Sequence, residues 1–186
     1  MMLQIGEHCS AGCSHCPFTK NDRWFSVDEI VRQATLNESS YVTLTGGEPL
    51  EHPEIHKVVS KLQDLEIPFR LATGGHVDLA FYNNIFENPL FLGISLGTDI
   101  VSVRNSSVPN KALWKSNLKY IYQRDIPWSL TVTLGEGLEF SDITSFVGSN
   151  LPNFIMINAI EKDDRAMEVF KEDLKNNVQW KDVICL

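Results

Sequence analysis

The 186-residue chain carries 16 basic and 24 acidic residues, a net charge of −8, and is 43% hydrophobic. That size and apolar content predict one domain with a substantial core, and the acidic balance excludes a general nucleic-acid binder, which carries a basic stripe. No apolar run reaches the ~18 residues of a membrane span, and the first residues have neither the basic start nor the apolar stretch of a secretory leader, so the expected setting is the reducing cytoplasm.

Short apolar runs alternate with helix-period stretches, the pattern of βα repeats around a parallel sheet. A first strand is expected over residues 2–7. It runs into Cys9-Ser10-Ala11-Gly12-Cys13-Ser14-His15-Cys16, which holds three of the four cysteines. Three thiolates can turn toward one point yet supply only three ligands. An iron–sulfur cluster commonly takes four thiolates, and a closed structural zinc site takes four ligands. The loop therefore points to a metal site with one open position, where chemistry is done. A zinc loop completed by His8 or His15, or a disulfide, is the other reading of this spacing.

Trp24 and Phe25 follow, as a shield for the loop or as an anchor for the next helix. Ser26 reads as an N-cap and Glu29 completes a capping box, with Val27, Ile30, Val31 and Ala34 as the buried stripe. The second strand, residues 41–45, ends at Gly46-Gly47-Glu48-Pro49. A helix from near Pro53 carries Ile55, Val58, Val59, Leu62 and Leu65 at helical spacing. Strand three, residues 69–73, ends in Gly74-Gly75, and a weakly specified helix over 77–86 follows. Strand four is expected over 91–96, a helix over 110–124 with Trp114, Leu118 and Ile121 inward, and strand five over 128–134. A short helix over 141–147, strand six over 154–158 and a helix over 164–177 complete the series. Residues 1–160 form the expected core, with 161–186 a C-terminal helix and tail packed on it. Cys185 reads as a passive terminal thiol. His52, His56 and His76 read as surface or capping residues.

Six strands are too few to close an eight-stranded barrel. Within the strands Thr43, Thr45, Ser95, Ser129, Thr131, Thr133 and Asn158 share one parity, while Val42, Leu44, Ile94, Leu96, Leu130, Val132, Ile155 and Ile157 share the other. The apolar set belongs under helices and the polar set on a wet concave face that holds ligand. Arg70 falls on the concave parity, either to meet a carboxylate or to reach solvent.

The spacing C-x3-C-x2-C resembles the cluster motif of the radical S-adenosylmethionine (SAM) enzymes, which favour a polar residue after the first cysteine and an aromatic one before the third, as Ser10 and His15 provide. Gly46-Gly47-Glu48-Pro49 resembles the family's GGEP motif after the second strand. The resemblance covers roughly residues 2–160 and implies an α/β fold, an open (β/α)6 partial TIM barrel with a parallel sheet.

It further implies that Cys9, Cys13 and Cys16 hold a [4Fe-4S] cluster whose fourth iron is chelated by SAM. Gly46, Gly47, Glu48 and Pro49 would meet SAM's amino group, and His15 joins the cofactor-binding set. Ser95, expected at the end of strand four, would contact the ribose or carboxylate; Gly97-Thr98-Asp99 departs there from the family's usual continuation. Thr73-Gly74-Gly75 stands where relatives have Thr-Asn-Gly, and Thr73 joins the cofactor-binding set. Thr133 and Asn158 are candidates for SAM's adenosine or for substrate. No acid–base residue is assigned. The implied activity is reductive cleavage of SAM to methionine and a 5′-deoxyadenosyl radical that abstracts hydrogen. An electron donor of flavodoxin or ferredoxin type would serve it. An uncovered barrel mouth suits a peptide or protein side chain; a small molecule, enclosed by a homodimer partner, is the next substrate class. The competing functions are an activase installing a glycyl radical and a non-catalytic metal-binding scaffold.

Overall fold

Among the described residues, seven parallel strands lie side by side in sequence order. The computed structural model describes residues 1–11, 21–36, 39–99, 111–134, 154–159 and 183–185. The strands are β1 (Met2–Gln4), β2 (Val42–Thr45), β3 (Phe69–Thr73), β4 (Phe91–Asp99), β5 (Trp128–Leu134), β6 (Phe154–Ala159) and β7 (Val183–Cys185). Among the described residues the helices are α1 (Val27–Thr35), α2 (Ile55–Asp64), α3 (Asn83–Phe86) and α4 (Lys111–Gln123). The fold is the α/β partial barrel expected from the sequence, with β1 and β7 as its two edges. The expected helices over 141–147 and 164–177 lie outside the described residues.

Local chemistry explains the elements. Ser26 caps α1 by accepting the Glu29 amide at 3.2 Å, and Ile30 and Ala34 are its buried positions. In α2 the residues Ile55, Val58, Val59 and Leu62 are buried, but Leu65 is 45% exposed. The helix ends before it: Glu66 takes a φ of 55°, and the Ile67 amide reaches back to the Leu62 carbonyl at 2.9 Å. This left-handed stop turns Leu65 away from the stripe.

Register aligns the two parities across the sheet. Val42 lies opposite Phe69, Leu44 opposite Leu71, Leu71 opposite Ile94, and Leu96 opposite Leu130. These side chains are almost wholly buried, each contributing roughly 1.5–3 kcal/mol, and Trp114, Leu118 and Ile121 of α4 belong to the same core. On the other parity Thr43 lies opposite Arg70, and Ser95 lies between Ala72 and Ser129. There Arg70 Nη2 donates to Ser129 Oγ at 3.1 Å, and the hydroxyls of Ser95 and Thr131 are 2.7 Å apart.

Three strands depart from the sequence reading. β1, expected over residues 2–7, ends at Gln4. β4 runs on to Asp99 because Leu96, Gly97, Thr98 and Asp99 pair with β5. β7 adds a seventh strand, its Ile184 opposite Met156. Three residues are too few to show a period, so pairing with β6 and not local pattern makes β7 a strand.

Candidate active site

The cysteine loop begins and ends at one place. Gly6 bridges Trp24, the Glu7 amide donates to the Arg23 carbonyl at 2.8 Å, and the Phe25 amide to the Ile5 carbonyl at 3.2 Å. The two ends of the loop therefore meet just past β1, at the carboxyl end of the sheet, where βα barrels place their sites. Cys9 is on the described part of this loop. Cys13, His15 and Cys16 lie outside the described residues.

The segment after β2 docks directly on this loop. The Gly47 amide donates to the Gly6 carbonyl and the Glu48 amide to the His8 carbonyl, both at 2.9 Å. A Cβ on Gly47 would fall 1.7 Å from the His8 carbonyl oxygen, and one on Gly46, whose φ is +134°, 2.4 Å from the Gly6 oxygen. Only glycine permits that approach. Pro49 opens a short 3-10 turn over Pro49–Glu51, capped by the Glu48 side chain on the Leu50 amide at 3.2 Å.

Glu48 is 1% exposed. Its other oxygen accepts Thr73 Oγ1 at 2.9 Å and the Gly74 amide at 3.0 Å. Burial pushes its pKa up to about 7, with the Gly74, Leu50 and Thr73 donors opposing that rise. Thr73 is itself buried and falls on the helix-facing parity, opposite Leu96. It lashes the ends of β2 and β3 together through Glu48.

Cys9 has neighbours that the sequence did not single out. His76 Nε2 is 4.0 Å from Cys9 Sγ and 3.5 Å from Glu51 Oε1, and His76 Nδ1 is 3.6 Å from Glu48 Oε2. The His76 side chain is 4% exposed, so it is not a surface group. His52 does cap: its Nδ1 accepts the Glu54 amide at 3.0 Å. Glu51 accepts the Ser10 amide at 2.9 Å and also the Ser10 hydroxyl, and His8 Nε2 lies 3.6 Å from it. Cys9, Glu51 and His76 offer ligand atoms within 4.8 Å of one another. The signal for His76 was its place just past β3, and for Glu51 its place one turn beyond Glu48.

The remaining candidates lie apart from this rim. Ser95 sits inside β4, four residues before its end at Asp99, not at the strand end that the sequence predicted. Thr133 and Asn158 occupy one paired register position of β5 and β6. A cysteine thiolate beside a glycine cradle, with donors from the ends of β1, β2 and β3, fits an iron–sulfur cluster and an amino-acid-like ligand: soft sulfur for iron and close backbone for the ligand.

The family model described as the radical SAM superfamily matches residues 3–147. Among solved structures, Streptococcus suis SuiB bound to its precursor peptide SuiA superposes with a TM-score of 0.77 at 15% identity, covering 100% of this chain and 48% of that one. SuiB bound to S-adenosylmethionine gives 0.75 at 13% identity, covering 100% and 50%. TYW1 with a lysine-pyruvate adduct gives 0.62 at 13% identity, covering 94% and 73%. The chain thus spans about half the length of SuiB, and at these identities the likeness is one of fold. No curated protein matches it by sequence.

Proposed function

The chain belongs to the radical SAM superfamily, which uses a [4Fe-4S] cluster and SAM, and from that premise we propose that Cys9, Cys13 and Cys16 hold the cluster and that the protein cleaves SAM reductively. The observation that carries this reading is the docking of Gly47 and Glu48 on residues 6–8, which brings the glycine cradle beside Cys9. When bound, the cluster supplies the electron that converts SAM to methionine and a 5′-deoxyadenosyl radical. The protein's own residues bind and orient. The Gly46 and Gly47 carbonyls take SAM's ammonium, Glu48 and Thr73 brace that cradle from beneath, and Pro49 fixes the turn. Ser95, deeper in the barrel, and Thr133 with Asn158 contact adenosine or substrate, and His15 belongs to the cofactor-binding set. Trp24, in ring contact with His8 and His52, keeps water from the loop's base.

The substrate we favour is a peptide or protein side chain. SuiB, which shares the fold, is described with a bound precursor peptide, and a small molecule is the next class. An electron donor of flavodoxin or ferredoxin type completes the system.

Anaerobic reconstitution with iron, sulfide, dithionite and SAM tests the proposal. The expected products are methionine and 5′-deoxyadenosine, and Cys13→Ala should lose both the cluster absorbance and turnover. A fully loaded cluster that never yields 5′-deoxyadenosine would sink it. The proximity of Cys9, Glu51 and His76 favours a second reading, a non-catalytic metal module. It predicts one tightly held zinc per chain, whose retention survives Cys13→Ala.

A further inference from the structure

We propose that His76 donates a hydrogen bond from Nε2 to the Cys9 sulfur and thereby raises the reduction potential of the cluster; this rests on Cys9 being a cluster ligand. The ring is inside the rim, with its side chain 4% exposed and its Nε2 4.0 Å from Cys9 Sγ. Nε2 also faces Glu51 Oε1 at 3.5 Å. Nε2 faces two acceptors, a metal-bound thiolate and a carboxylate, whereas Nδ1 faces one, Glu48 Oε2 at 3.6 Å, so we place a ring proton on Nε2.

Neighbouring backbone holds the ring there. Asn117 of α4, 1% exposed, donates to the Gly75 carbonyl at 3.0 Å and to the Val77 carbonyl at 2.6 Å, gripping the chain on both sides of His76. Glu51 is held by the Ser10 amide at 2.9 Å, so the residue after Cys9 is fixed to the same group. Cys9, Glu51 and His76 therefore meet from three separate elements with little freedom to part. A donor to a ligating sulfur draws electron density from it and stabilises the more negative, reduced state. Hydrogen bonds to the sulfurs are among the determinants of cluster potential.

The holoprotein, reconstituted anaerobically, is titrated to its midpoint potential by EPR of the reduced cluster in wild type, His76→Gln and His76→Leu. The expected result is equal iron and sulfide content, a more negative midpoint in His76→Leu, and recovery toward wild type in His76→Gln, which keeps an N–H donor. A His76→Leu cluster that loads fully and titrates at the wild-type potential overturns the proposal and leaves the cluster assignment standing. Failure of the wild type to load a cluster overturns the assignment and the proposal with it. If both variants lose their cluster, wild-type protein labelled with nitrogen-15 in histidine decides. Pulsed EPR should show a weak nitrogen coupling that His8→Gln and His15→Gln retain. No coupling, or one large enough for a direct iron–nitrogen bond, overturns the donor role.

Discussion

Glu48 shows how one side chain can serve the site by tying its backbone together. Its carboxylate is buried beneath the glycine cradle and takes three donors from the ends of β2 and β3. Burial outweighs those donors and lifts its pKa from 4.5 to about 7. The folded protein therefore binds this proton more tightly than the unfolded chain does. Between about pH 4.5 and 7 the folded state carries more of the proton, so stability falls as pH rises through that window and levels above it. A shift of this size is worth on the order of 3 kcal/mol. Urea midpoints of the metal-free protein should decline from pH 5 to 7 more steeply in wild type than in Glu48→Gln, which cannot ionise. Equal slopes would mean that Glu48 titrates in its ordinary range.

At the scale of elements, the segment between β3 and α3 depends on α4, far along the chain. The Asn117 side chain accepts the Leu79 amide at 3.1 Å and donates to the Gly75 and Val77 carbonyls. Asn117→Ala would strand three backbone groups, two of them buried, costing about 3 kcal/mol, and would loosen the grip on His76. A lowered urea midpoint together with faster cluster loss to a chelator is the expected pair of results; an unchanged midpoint would refute the clamp. Nothing local in the sequence marks Asn117, because its partners lie about forty residues away. The place of His76 just past β3 was legible, but its contact with Cys9, 67 residues away, was not. What the sequence did disclose is what period and capping encode: the Ser26 cap, the burial of Ile55, Val58, Val59 and Leu62, and the bounds of β3 and β5. Leu65 misled because a stripe does not say where its helix stops. Strand four is expected to stop at Leu96, although pairing with β5 carries it through Gly97 to Asp99. Thr73 shared its strand's helix-facing parity, and only the Glu48 contact explains why a polar residue sits there.

Across the whole molecule, the site occupies one corner of an open sheet. Each edge strand, β1 and β7, is three residues long, which limits the unpaired backbone offered to other chains. No helix among the described residues is long and apolar enough to cross a membrane. The ends of β1, β2 and β3 are tied through Gly6 to Gly47, His8 to Glu48, Glu48 to Gly74 and Cys9 to His76. α4 and β5 join the core; from α4, Asn117 bonds the Gly75 and Val77 carbonyls and Trp114 Nε1 donates to the Gly97 carbonyl at 3.1 Å. A cluster bound at Cys9 should therefore stabilise locally before it stabilises globally, since a ligand protects most where opening would break its own contacts. Hydrogen exchange compared before and after chelation should quicken at residues 6–11, 46–50 and 73–77. The amides of α4 and of residues 128–131 in β5 should hold their rates. A uniform change across the sheet would show that the corner and the core open as one unit, and that the rim is no separate module.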